Sequence, residues 1–159
     1  RDAEHYAFHA SPVGNPRYLY FPGCQLAASE PRYVGGSYAL LCEKAADTAI
    51  LLGCCGAPAV WAGDVPLQRE VADEIRAVWE GYGRPVMVLA CPTCMRMFNE
   101  YLPEIETIFL LNLFAELGIQ ADHFLFVSGK GAAQAVILLL LLIIQHIHVN
   151  FSIKQRGQR

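Results

Sequence analysis

Two rhythms of apolar residues run along this chain. Short apolar runs at Tyr18 to Phe21, Thr48 to Leu52, Pro85 to Ala90 and Thr107 to Leu110 have the length and composition of buried strands. Between them, apolar residues recur at helical spacing. Val34, Tyr38, Leu41 and Ala45 follow a cap-like Ser29-Glu30-Pro31, with Gly35-Gly36 weakening the first turns. Asp64 and Pro66 open a second helix that carries Leu67, Val71, Ile75, Val78 and Tyr82 on one face and closes at Gly81 and Gly83. Pro92 suits the first turn of a third helix that runs to about Leu102 and is stopped by Pro103. Leu111 to Leu117 reads as a short fourth helix before Gly118. Strands alternating with helices in this way predict an α/β fold, a Rossmann-like parallel sheet with right-handed crossovers, over residues 18–118.

Both ends depart from this pattern. Residues 1–17 are polar and aromatic, without helical or strand periodicity, and read as a lead-in segment. Residues 119–159 form an apolar tail in which Ala135 to Ile144 is unbroken by any polar residue. A membrane-spanning helix needs about 20 predominantly apolar residues. The stretch 132–149 approaches that length only by including Gln134, Gln145, His146 and His148. A buried strand or core helix is therefore favoured over membrane association through this segment, with a truncated or atypical continuation of the chain as the third reading.

Composition narrows the class. A length of 159 residues with 54% hydrophobic and 17% charged content suits one ordinary domain with a core. The net charge of −3 and the lack of a Lys/Arg-rich face before the last few residues argue against nucleic acid as a partner. The chain begins at Arg1 without a charged-then-apolar leader, so it reads as part of something longer with no secretion signal at its start.

The chemistry sits where the strands end. Phe21-Pro22-Gly23-Cys24-Gln25, Gly53-Cys54-Cys55-Gly56 and Cys91-Pro92-Thr93-Cys94 each follow an apolar run, giving the pattern C-x29-CC-x35-C-x2-C. In a parallel sheet these cysteine loops lie at the strand carboxyl ends, where open α/β sheets place ligands. CxxC spacing in a chain with long helical patterns favours reduced, metal-binding thiols over a disulfide framework, and points to a reducing, cytoplasmic compartment. Thiolates suit iron-sulfur clusters and zinc, and a fifth thiol exceeds what a tetrahedral zinc or a simple cubane needs. An additional thiolate can bridge two irons, which gives the adjacent Cys54 and Cys55 a joint use. Structural zinc and cluster-free thiol-disulfide exchange through Cys54-Cys55 or Cys91-Cys94 are the alternatives.

Other residues carry less. Cys42, outside the motif and mid-helix, reads as a buried structural thiol. His5 and His9 read as surface histidines, and His146 with His148 as a weak metal signal. Trp61 reads as a packed side chain, or as a shield over a cluster. Gly129-Lys130-Gly131 lacks the earlier glycine of a phosphate loop.

The Phe-Pro-Gly-Cys-Gln run, the Gly-Cys-Cys-Gly-Ala-Pro turn and the Ala-Cys-Pro-Thr-Cys turn together resemble the cysteine-rich CCG domain of heterodisulfide reductases and of related iron-sulfur subunits of lactate and glycolate oxidation. The resemblance implies that Cys24, Cys54, Cys55, Cys91 and Cys94 bind a 4Fe-4S centre, which in heterodisulfide reductases is a non-cubane cluster. It also implies a component of an oxidoreductase, with a flavoprotein or other iron-sulfur redox subunits as partners. The family's enzymes commonly carry two copies of the domain, and this chain has one followed by the leucine-rich tail. That implies electron transfer for the chain by itself.

Overall fold

In the computed structural model, which describes residues 8–11 and 14–119, every expected apolar run forms a strand. The strands are β1 (Phe8–Ala10), β2 (Tyr18–Phe21), β3 (Thr48–Leu52), β4 (Val86–Leu89) and β5 (Thr107–Phe109). They join in one sheet in the order β1-β3-β2-β4-β5. The β3-β2, β2-β4 and β4-β5 pairs are parallel, whereas β1 pairs antiparallel with β3. The helices are α1 (Cys24–Ser29), α2 (Pro31–Lys44), α3 (Ala57–Ala62), α4 (Val65–Gly81), α5 (Pro92–Tyr101) and α6 (Leu110–Glu116). The Rossmann-like α/β reading holds for this mostly parallel sheet. The one exception is edge strand β1, which falls in the segment read as aperiodic because three residues are too few to show alternation.

From β2 the chain passes through α2 to β3 on one side, then crosses back by way of α3 and α4 to β4 on the other. The connection thus reverses direction around the central strand, and the carboxyl ends of β2 and β4 border the crevice that such a switch creates. Alternation then sorts the side chains. Leu19, Phe21, Ala49, Leu51, Met87 and Leu89 pack with Ala72, Ile75 and Trp79 of α4 and Met97 and Phe98 of α5 in one apolar core. Phe21 and Phe98 meet edge-to-face, with ring centroids 5.5 Å apart.

On the opposite face Tyr20 is fully buried and meets α2. The Ser37 hydroxyl donates to the Tyr33 carbonyl at 2.6 Å, so the Tyr20 hydroxyl donates to Ser37 Oγ at 2.7 Å. This contact explains why α2 buries Val34, Ser37, Leu40 and Leu41, while Tyr38, expected on that face, is half-buried with its hydroxyl on the Thr48 carbonyl. Helix α4 is turned in a similar way. It buries Gln68, Ala72, Ile75 and Trp79, leaves Val71, Val78 and Tyr82 half-buried, and exposes Leu67. Trp79 sets this rotation by donating its indole N–H to the Pro85 carbonyl at 2.8 Å. The start of α4 is as expected, because the Asp64 carboxylate accepts from the Leu67 N–H at 3.0 Å.

Cys42 is half-buried, with its sulfur 4.0 Å from the Thr48 carbonyl. His9 is exposed and sits against Tyr82, with Nδ1 2.9 Å from the phenol oxygen. Expectations for His5, for 132–149 with His146 and His148, and for Gly129 to Gly131 lie outside the described residues. Among the described residues, no helix is long and apolar enough to cross a membrane.

The buried hydroxyl pair gives a stability prediction. Ser37→Ala strands the Tyr20 O–H without an acceptor and should cost about 1–3 kcal/mol, whereas Tyr20→Phe leaves Ser37 satisfied by α2 and should cost about 0.5–1.5 kcal/mol. Urea midpoints of the two variants and of the double variant check this. The double variant should be less destabilised than the sum of the singles.

Candidate metal centre

Three neighbouring parallel strands end level with one another, since Tyr20 pairs with Ile50 and Phe21 pairs with Leu89. Within three residues of those ends come Cys24 after β2, Cys54 and Cys55 after β3, and Cys91 after β4, and Cys94 lies in the first turn of α5. Each turn is made by a residue suited to it. Gly23 stands before α1 with φ 78° and ψ 157°, a region open essentially to glycine alone. Gly56, at φ 80°, swings the chain from the cysteine pair into α3, a helix bracketed by a second left-handed glycine at Gly63. Pro92 occupies the first turn of α5, with Cys91 as its extended N-cap.

The thiols make contact across these turns. Cys55 lies beside Cys54 and Cys94, and Cys94 beside Cys91, near enough for each thiol to shift its neighbour's proton affinity, so four sulfurs from two turns form one chain of neighbours. Cys24 is near enough to Cys54 to act electrostatically on that sulfur. The Gln25 side-chain oxygen accepts from the Cys91 thiol at 3.8 Å. Cys55, Cys91 and Cys94 are buried, Cys54 is half-buried and Cys24 is exposed. All six cysteines are free thiols.

The neighbouring sulfurs shift one another in opposite directions. Cys55 is pulled down, first by Cys54 and then by Cys94, with the Ala57 N–H adding to them against the opposing effect of burial. Cys91 is lowered to about 6, first by Cys94 and further by the backbone amides of Cys94 and Thr93. Their neighbours move the other way. Cys54 is raised by Cys55 and then by burial, and Cys94 by Cys55 and Cys91. Backbone N–H groups thus already face the buried sulfurs of Cys55 and Cys91.

Among the described residues, no three cysteine, histidine or carboxylate side chains are arrayed around a common point that could hold a metal ion. The donor set itself fits a soft metal group. It offers five thiols from three turns, N–H groups on the sulfurs of Cys54, Cys55 and Cys91, and a backbone cradle at Gly23. Trp61, expected to pack or to shield a cluster, does neither, since it is 68% exposed at the end of α3. The buried tryptophan is Trp79, whose fate depends on the carbonyl it meets and so left no signal in the sequence.

A Cβ on Gly23 would lie 2.9 Å from the Cys94 sulfur and 3.3 Å from the Cys91 Cβ, in addition to its disallowed backbone angles. Gly23→Ala should therefore cost about 1–3 kcal/mol. Gly53→Ala is the control, because its Cβ would meet only Phe21, at 3.6 Å. Denaturant midpoints of the two variants should differ by more than the error of the extrapolation, with Gly23→Ala the weaker protein.

Among curated proteins and among solved structures, nothing matches the chain. The family model described as "CCG: Cysteine-rich domain" does match, over residues 18–99, which runs from the first residue of β2 into the last turn of α5 and takes in all three cysteine turns. The chain belongs to the cysteine-rich CCG domain family.

Proposed function

We propose that this domain is an iron-sulfur electron-transfer module of a heterodisulfide reductase-like oxidoreductase, in which Cys24, Cys54, Cys55, Cys91 and Cys94 hold a 4Fe-4S group of the non-cubane kind. The observation that carries the reading is that Cys24, Cys54, Cys55 and Cys91 stand within three residues of the level carboxyl ends of β2, β3 and β4, with Cys94 in the first turn of α5. When bound, the group supplies one-electron chemistry. The protein's own part is ligation and tuning. Backbone N–H groups at Cys54, Cys55 and Cys91 stabilise charge on the sulfurs, and burial of Cys55, Cys91 and Cys94 keeps water from that side. Cys24 is the exposed member and gives electrons a short way in or out. Trp61, Val65 and Leu67, exposed about the α3–α4 junction, offer an apolar surface to a flavoprotein or another iron-sulfur subunit.

Cluster-free thiol-disulfide exchange fits less well. That chemistry needs an accessible thiolate, and the two sulfurs with lowered pKa, Cys55 and Cys91, are buried. Structural zinc leaves one thiol of the five without a use.

Iron and acid-labile sulfide analysis of the anaerobically purified chain tests the proposal. About four of each per chain are expected, whereas zinc in place of iron would overturn it. Cys54→Ser and Cys55→Ser separate the cluster types, because serine keeps the size and removes the soft ligand. Each should alter both the iron content and the electron paramagnetic resonance signal. A variant of either cysteine that leaves both unchanged would replace the five-thiolate group by an ordinary four-thiolate one.

A further inference from the structure

Beside the thiols lies a cavity of about 480 Å³. Its floor is the α4-facing side of β2 and β3 at Phe21 and Leu51, one wall is α4 at Val71, Ile75 and Val78, and the other is α1 at Ala27 and Ala28. Cys24 and Cys54 line it, while Cys55, Cys91 and Cys94 do not. The cavity therefore opens beside the sulfur chain, at its Cys54 end. Its volume is that of small-molecule sites, which lie between about 300 and 1,000 Å³. The lining is almost wholly apolar, and the single charged residue on it is the exposed Glu74, one helical turn from both Val71 and Val78.

We propose that this cavity binds a small organic molecule with an apolar body and a neutral or cationic polar end, the body lying over Leu51 and Ile75 and the polar end at Glu74. Apolar walls favour the body. A lone carboxylate at the rim accepts hydrogen bonds and attracts positive charge, and it repels an anionic end. Binding does not depend on a metal. That the ligand would also lie within electron-transfer contact of a redox centre, through Cys24 and Cys54, does rest on the iron-sulfur reading. On that reading the cavity adds an organic substrate or effector to the module.

Isothermal titration of the full chain, purified anaerobically and assayed for iron on the same sample, tests this with 1-octanol, octylammonium and octanoate. Octanol and octylammonium should saturate one site, and octanoate should bind at least about tenfold more weakly than octylammonium. Ala28→Trp adds bulk from an exposed wall, where the fold tolerates it, and should weaken octanol by at least about tenfold. Glu74→Gln should bring octylammonium and octanoate to within about threefold while octanol is unchanged. Absence of saturable binding, indifference to Ala28→Trp, or a preference for octanoate would each overturn the proposal. Binding in a sample without iron would leave it standing and remove the redox reading. Iron without binding would do the reverse.

Discussion

Gly23 leaves the central strand against Cys94 with room for a hydrogen and no more. Much of the architecture is needed to bring that contact about. Strand β2 must lie beside β4, so that the turn after one meets the first turn of the helix after the other. The crossover through α3 and α4 must carry the chain over β2, and Phe21 must seat on Phe98 and so hold α5 against the sheet. A side chain at position 23 would push the two cysteine turns apart at the point where the strand order reverses.

Given that framework, the thiols follow ordinary hydrogen-bond logic. Four sulfurs brought together away from water cannot all be charged, so they share protons. Proton affinity falls at Cys55, which faces two thiols and a backbone N–H, and at Cys91. Both are sulfurs that backbone amides face, which is the arrangement a bound anionic cluster would also use.

Where a single segment determines the outcome, the sequence was sufficient. The apolar runs became β2 to β5, Glu30 and Asp64 capped their helices, and alternation of strand and helix placed three cysteine turns along one edge of the sheet. What escaped depends on partners distant in sequence. Three-residue β1 exists because β3 has a free edge to pair with. Short helices α1 and α3 are too brief to show a period and are set by Gly23, Gly56 and Gly63. The rotation of α4 follows from one indole bond to Pro85, which brings Trp79 in and leaves Trp61 out. Likewise the thiol order, with Cys55 at its centre, arises from contacts between turns and has no counterpart in spacing.

X-ray absorption at the iron edge of the anaerobically reconstituted chain tests most directly whether these turns act as one soft-ligand site. The account predicts a first shell of sulfur alone around iron, together with a short iron-iron vector that reports a multinuclear group. A shell of oxygen or nitrogen, or isolated irons without that vector, would contradict it.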